Sequence, residues 1–343
     1  MRLLVLGGSW FLGAQIVNDA LAAGSDVTTF RRGRTGADIA GAHTIRGDRT
    51  NVEDLARLAD AGPWDAVIDT SGYVPANVGL VARHLAPTAH RYVFLSTVSV
   101  YRDWPARPVT ETDSLRPCDP SADSDDGSPS DPGPARYGAF KAGAEQAVVD
   151  TFGTDRAVLL RPGVIVGPGE YVGRLPWWLQ RIARAGRVLA PGRPETTIQP
   201  VDVRDVSQFA IHALQNGAAG AYNLAGPDTP FEEFLAACLR VTGSNATLEW
   251  ITDEEWLAER VSPWVEMPLW HTQPGAWSAD TSRARRDGFD PRPLTRTVAE
   301  TWSWMRDGTP PVNHPRAGLI GVSPTKENAV LTAWADRQTE SGR

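Results

Sequence analysis

Seven residues near the N-terminus, Gly7-Gly8-Ser9-Trp10-Phe11-Leu12-Gly13, constrain this chain more than any other stretch. They follow a short apolar run, Leu3 to Leu6, and lead into apolar residues at Phe11, Leu12, Ile16, Val17 and Leu21, a helical spacing that stops at Gly24. An unbroken apolar run bounded by glycine suits a strand covered on both faces, as in a parallel sheet. The reading is strand, glycine-rich turn, helix. At such a junction a parallel sheet presents backbone N–H groups and a helix N-terminus to a pyrophosphate, so Gly7, Ser9, Trp10, Phe11, Leu12 and Gly13 are expected to hold a dinucleotide. A Gly-x-x-Gly-x-x-Gly spacing would place glycine at position 10; Trp10 stands there instead, which predicts a looser or differently curved turn.

Further strand patterns come at Val27–Phe30, Ala66–Ile68, Tyr92–Leu95, Ala157–Leu160 and Ala221–Leu224, separated by helical patterns such as Val78–Leu85 and Lys141–Phe152. Alternation of this kind means βαβ units with right-handed crossovers, hence an α/β, doubly wound parallel sheet of Rossmann type. With 343 residues the chain has room for one large unit and a smaller lobe. Beyond Gly169 the composition shifts to Pro and Trp (Trp177, Trp178, Trp250, Trp256, Trp264, Trp270, Trp277), which marks a C-terminal substrate-binding lobe. The expected division is 1–168 for the dinucleotide-binding domain with 199–226 returning to its sheet, 169–198 and 227–307 for the lobe, and 308–343 for a linker and terminal helix near Pro324–Arg337. Pro105–Pro134, dense in Pro, Ser and Asp, predicts a flexible loop, either a tolerated insertion or a lid.

Composition excludes several functions. A net charge of −7 and a pI near 5.4 argue against a sequence-independent grip on nucleic acid. Two cysteines, Cys118 and Cys238, cannot make a disulfide framework in a chain this long, which suits a reducing, cytoplasmic compartment. No run approaches the roughly 20 apolar residues of a membrane span, and the N-terminal apolar run is too short for a signal peptide. The six histidines lack metal-site spacing, so no metal is expected. Neither a Gly-x-Ser-x-Gly elbow nor a Walker loop is present.

After the second strand the chain reads Arg31-Arg32-Gly33-Arg34. A carboxylate there would receive the adenosine ribose hydroxyls of NAD(H), whereas guanidinium groups suit the 2′-phosphate of NADP(H). Arg31 and Arg32 are therefore cofactor candidates, with NADP(H) expected over NAD(H); a solvated basic turn is the alternative. Asp48, at the end of the third strand, could accept from the adenine amino group or cap the helix starting near Val52. Its neighbour Arg49, and Ser71 in the Asp69–Tyr73 strand end, are further cofactor candidates, with Tyr73 on the substrate side; a capped turn is the alternative for Thr70–Tyr73.

Tyr137 and Lys141 lie at i and i+4 of a helical pattern, on one face. The chain holds six Tyr and only two Lys, so an accidental pair is improbable. A phenol titrating near pH 10 is a poor acid or base at neutral pH unless a cation lowers its pKa, and the ammonium one turn away supplies that field. Tyr137 is thus the candidate general acid/base. Ser96-Thr97-Val98-Ser99, at the end of the Tyr92–Leu95 strand, offers hydroxyls to hold a substrate oxygen.

The glycine-rich turn, Ser-Thr-x-Ser-Val-Tyr (96–101), Tyr-x-x-x-Lys, Arg161-Pro162-Gly163-Val164-Ile165-Val166-Gly167-Pro168 and Val201-Asp202-Val203-Arg204-Asp205 together resemble an extended or atypical short-chain dehydrogenase/reductase of the NAD-dependent epimerase/dehydratase type, over about residues 1 to 306. The resemblance implies that Thr97 is the catalytic hydroxyl, Tyr137 the acid/base and Lys141 its lysine. It further implies that Pro162, Gly163 and Val164 contact the cofactor, and that Ser99, Tyr101, Arg174, Trp177 and Gln199 lie on the substrate side. Gly163 stands where many sugar-nucleotide members carry Asn. The implied activity is NADP(H)-dependent hydride transfer at a ketone or alcohol of a small polar, sugar-like or secondary-metabolite molecule. Redox-neutral epimerisation or dehydration with retained NAD(P), and a non-catalytic sensor or RNA-associated role, are the alternatives. No nucleic-acid or membrane partner is expected; homodimers are common in that family, which leaves one open here.

Overall fold

The structure is a computed structural model describing residues 1–34, 36–123, 134–308 and 319–341. In chain order the elements are β1 (Arg2–Leu6), α1 (Phe11–Ala22), β2 (Asp26–Arg31), β3 (His43–Arg46), α2 (Val52–Asp60), β4 (Trp64–Asp69), α3 (Pro75–Leu85), β5 (Ala89–Leu95), a 3₁₀ turn (Val98–Val100), α4 (Pro134–Phe152) and β6 (Ala157–Pro162). They continue as β7 (Ile165–Val166), α5 (Arg174–Ala183), β8 (Arg187–Pro191), β9 (Thr197–Ile198), β10 (Val201–Asp202), α6 (Val203–Gln215), β11 (Gly220–Leu224), β12 (Thr229–Pro230), α7 (Phe231–Thr242), β13 (Thr247–Ile251), α8 (Glu254–Ala258), α9 (Ser282–Arg286), α10 (Leu294–Arg306) and α11 (Pro324–Ser341). Among the described residues no helix is long and apolar enough to cross a membrane.

Two compact units emerge from the internal contacts: Met1–Ile165, Val203–Ala225 and Pro274–Pro291 form the first, and Val166–Asp202, Gly226–Gln273 and Arg292–Arg343 the second. The first holds a seven-stranded sheet in the order β11-β6-β5-β4-β1-β2-β3, with every pair parallel. The order reverses between β1 and β4, and ligands of open parallel sheets bind at the carboxyl ends of the strands at such a switch. Strand β1 is buried from Leu3 to Leu6 because both faces are covered. Leu4 and Leu6 join Phe30, Val67, Phe94, Val78, Val81, Val148 and Phe152 in the core on the side of α2, α3 and α4, and α1 packs with α6.

Local chemistry sets the element ends. Asn51 caps α2 by accepting from the Asp54 N–H at 3.0 Å. The capping role considered for Asp48 is thereby corrected: its carboxylate is engaged two residues on, by the Thr50 N–H and hydroxyl. Pro75 opens α3, where its missing N–H costs no helical bond.

The described part of the Pro-rich segment, residues 105–123, is more ordered than its composition suggests. Val109 is buried, donates to the Ser278 carbonyl at 3.0 Å and accepts from the Asp280 N–H at 2.9 Å. Arg116 donates to the carbonyls of Ser99 (2.9 Å) and Trp104 (2.6 Å). Backbone pairing, one guanidinium and the Val109 side chain, packed with Val98, Val100 and Trp104, order this stretch, which corrects the flexible-loop expectation for it; residues 124–133 lie outside the described residues.

In the second unit α7 packs with α5 and α10, β8 pairs in parallel with β13, and α11 lies against β8. The proline-rich residues 309–318 lie outside the described residues.

Candidate active site

At the carboxyl end of β1 the chain turns through Gly7 (φ +104°) and Gly8 (φ +88°), left-handed conformations that favour glycine. A Cβ on Gly7 would sit 2.6 Å from Thr70 Oγ1, and one on Gly13 would sit 3.0 Å from the Gly8 nitrogen. The turn is a cradle that side chains would fill. Trp10 is extended (φ −131°, ψ 145°), a conformation open to any residue, so tryptophan costs nothing there; the sharp bend is carried by Gly7, Gly8 and Phe11 (φ 34°) instead. Trp10 is the N-cap of α1; its own side chain makes no capping hydrogen bond, and no acidic residue occupies the first turn. The positive helix terminus thus faces the cradle and fits a pyrophosphate.

Arg31 is nearly buried, and its guanidinium meets Asp38 at 2.7 Å and the carbonyls of Gly36 (3.0 Å) and Ala37 (3.1 Å). Its guanidinium therefore braces the 36–38 turn, which packs so closely that a Cβ on Gly36 would meet the Ser9 carbonyl at 2.7 Å. Arg32 and Arg34 are exposed. Both also act on Asp48, whose carboxylate is held below its usual pKa chiefly by the Thr50 N–H, next by the Thr50 hydroxyl and least by these two guanidiniums.

Asp69, fully buried at the end of β4, takes two hydrogen bonds from Arg49 (3.1 and 2.7 Å), one from the Tyr92 hydroxyl (2.9 Å) and one from the Ser71 N–H (3.0 Å). Burial alone would raise its pKa; Arg49 and the other donors override burial and hold it below the usual range. Arg49 also reaches Ser71 Oγ at 3.0 Å. The Arg49 fork thus joins the buried Asp69 to Ser71 at the end of β4.

Lys141 is buried on α4, with its ammonium donating to the carbonyls of Gly72 (2.8 Å) and Leu95 (2.6 Å), 4.5 Å from the centre of the Phe94 ring. Burial brings its pKa down to about 8. Helix α4 can come this close because residue 138 is glycine: a Cβ there would lie 1.9 Å from the Ser99 carbonyl oxygen. The approach brings the helix face of Tyr137 and Lys141 to the 3₁₀ turn, where Thr97 Oγ1 accepts from the Ser99 N–H (3.2 Å) and donates to Ser99 Oγ (3.3 Å). The Tyr137 ring packs against that of Tyr73, centroids 5.6 Å apart. Gly163 donates its N–H to the Leu224 carbonyl (2.9 Å) just beyond Pro162 and before Val164. Thr97, Ser99, Tyr137, Lys141 and the Ser71–Tyr73 turn are thus gathered at the carboxyl ends of β4 and β5.

Tyr101 does not join them. It is fully buried, donates to Asn223 Oδ1 (2.6 Å), accepts from Arg161 (2.9 Å), and has its pKa pushed up to about 12 by burial. The 3₁₀ turn swings it into the core beside the Arg161–Glu145 ion pair (2.6 Å), so its substrate-side assignment is corrected to a structural one.

The remaining candidates sit in the second unit. Arg174 opens α5 with its guanidinium over the Trp264 ring (5.2 Å) and 3.8 Å from Glu170. Trp177 packs edge-on against Trp178 (4.8 Å) and lies on Gly321, where a Cβ would meet its indole nitrogen at 1.7 Å. Gln199 donates to Asp228 at 2.9 Å. Sequence reasoning missed the parts played by Gly138, Gly72 and Arg49. A glycine inside a strong helical pattern, beside the tyrosine, was the available signal for close backbone approach.

Residues 3–225 match the model of the NAD dependent epimerase/dehydratase family. The chain is 29% identical over 198 residues to 2′-dehydrokanamycin reductase of Streptomyces kanamyceticus, covering 55% of this chain and about half (51%) of that relative. It is 28% identical over 268 residues to 2-alkyl-3-oxoalkanoate reductase of Stenotrophomonas maltophilia, covering 71% of this chain and 76% of that protein. Among solved structures, the Bordetella bronchiseptica enzyme WbmG in complex with NAD shares the fold with a TM-score of 0.66 at 18% identity, over 90% of this chain and 94% of that one.

Proposed function

The chain belongs to the NAD dependent epimerase/dehydratase family, enzymes of the extended short-chain dehydrogenase/reductase superfamily, and on that premise we propose that it is an NADP(H)-dependent reductase of a ketone on a small polar, sugar-like or secondary-metabolite molecule. The observation that carries this reading is the packing of the Tyr137–Lys141 face of α4 on the Thr97–Ser99 turn, at the carboxyl edge of the sheet beside the glycine cradle. Gly7 to Gly13 and the α1 N-terminus would hold the pyrophosphate, Arg32 and Arg34 the 2′-phosphate, and Pro162 to Val164 the nicotinamide side. Bound there, the nicotinamide supplies or accepts hydride.

Thr97 Oγ1 and the Tyr137 phenol hold the substrate oxygen, and Ser99 fixes the Thr97 hydroxyl. In the reducing direction Tyr137 gives its proton to the developing alkoxide. The Lys141 charge, set among carbonyls and an aromatic ring, favours the phenolate left behind. Proton transfer from a positioned group is typically worth about 10²–10⁴-fold in rate. Two named reductases among the relatives favour net reduction over a redox-neutral cycle.

Titration with NADPH and NADH, followed by nicotinamide fluorescence, tests the reading. NADPH should bind at least about tenfold more tightly than NADH, and Arg32→Asp should remove that margin, a loss of about 1.4 kcal/mol or more. Tyr137→Phe should keep NADPH binding within about twofold and lose about 10²-fold or more in ketone reduction. Equal binding of NADH, or NAD copurifying with the protein, would replace this reading by an epimerase or dehydratase that retains its cofactor.

A further inference from the structure

The turn that receives the lysine is pressed onto a buried carboxylate. A Cβ on Gly72 would come within 2.6 Å of Asp69 Oδ2 and 2.6 Å of the Phe94 ring, so this turn follows the Asp69 side chain closely. Five donated hydrogen bonds, two of them from Arg49 and two from Ser71, hold that carboxylate in place. The Gly72 carbonyl then accepts from Lys141 Nζ.

We propose that Asp69, clamped by Arg49, is the positioning residue for Lys141: the pair fixes the Gly72 carbonyl against the ammonium and sets two buried charges in its field. The inference rests on the assignment of Lys141 to the reacting end of the site. The groups facing the ammonium are the Asp69 carboxylate and Arg49 guanidinium beneath the turn, Glu145 one helical turn on along α4, and Tyr137 on its own face, with the Phe94 ring and Leu95 carbonyl from β5. Asp69 favours the charged lysine and Arg49 opposes it, burial being the larger influence on the whole. Removing either partner should therefore move Lys141 in opposite directions.

The chain's two lysines make this measurable, since selective [¹⁵N]lysine labelling gives two Nζ signals, with Lys326, ion-paired to Glu266 at 2.6 Å, as the internal reference. The full chain would be titrated without dinucleotide, after circular dichroism has shown each variant folded. Asp69→Asn should shift the Lys141 midpoint to lower pH by on the order of one unit, and Arg49→Gln should shift it upward. Asp69→Glu, which keeps the charge, should recover most of the wild-type midpoint. A Lys141 midpoint unmoved in Asp69→Asn, or both variants rising together toward the value of a free lysine, would overturn the proposal, because a merely structural pair would release the lysine to solvent in either case. If Asp69→Asn does not fold, Arg49→Gln decides alone: an unmoved midpoint overturns the proposal. A separate NADPH titration of the wild-type chain reports on the dinucleotide reading, so the two can fail independently.

Discussion

A single ammonium illustrates how burial rather than sequence neighbours tunes a side chain. Lys141 is 6% exposed, and burial lowers its pKa to about 8. Its unfolded value lies near 10.4, so between about pH 8 and 10.4 the unfolded chain binds more protons than the folded one and stability rises with pH across that window. Below pH 8 both states are protonated, and the folded state bears the full cost of the buried charge. Lys141→Met removes that cost. The melting temperature of the methionine variant should exceed wild type most at pH 7, and the margin should shrink steadily as pH rises through 8 toward 10; a margin that is flat with pH would mean that the ammonium is not buried in solution. Tyr101 and Arg31 teach the complementary lesson. Residue type and motif position marked both as ligand contacts without showing that Tyr101 meets Asn223 and Arg161 and that Arg31 meets Asp38, partners that lie far off or unmarked in sequence.

The elements themselves were far more legible than such partners. Periodicity located α1 at Phe11–Ala22 and placed β2, β4, β5, β6 and β11 to within a few residues, because each carries a short, largely apolar stretch that the sheet buries. The alternation of strands and helices pointed to a parallel sheet, and the structure supplies the order of its strands. What the pattern did not reveal was how closely elements approach one another. Helix α4 lies so near the 3₁₀ turn that residue 138 has no room for a methyl, and α4 carries both Tyr137 and Lys141. Gly138→Ala must therefore push the helix off Ser99 or bend it, although alanine is the better helix former by about 1 kcal/mol. The clash should win. A net destabilisation of roughly 1–3 kcal/mol is expected by urea denaturation, as for other overpacked sites, together with loss of reduction that exceeds the loss of NADPH binding. A variant as stable and active as wild type would show that α4 stands farther from the turn than described.

On the scale of the molecule, the sequence signalled a second lobe by its tryptophans but left the C-terminal helix without a task. The structure gives α11 one inside the second unit. Glu327 is 3% exposed, takes a hydrogen bond from Arg181 of α5 (2.6 Å) and another from the Leu189 N–H of β8 (3.1 Å), and so ties three elements at one carboxylate. Around it, Lys326 pairs with Glu266, Trp334 packs on Trp256 (5.1 Å), and Arg337 meets Asp253 at 2.8 Å. The exposed pairs contribute little, by the usual behaviour of surface ion pairs, so the buried one dominates. Removing one partner of a buried pair leaves an uncompensated charge and typically costs about 3–5 kcal/mol. Glu327→Ala strands Arg181 and also orphans the Leu189 N–H; Glu327→Gln keeps an acceptor for that N–H and should be the milder of the two. Because every contact named here lies within the second unit while the glycine cradle belongs to the first, both variants should melt at lower temperature than wild type, yet bind NADPH within about twofold of it when assayed well below that transition. Unchanged melting would mean that α11 is not docked in solution, and NADPH affinity falling in step with stability would mean that the two units fold as one.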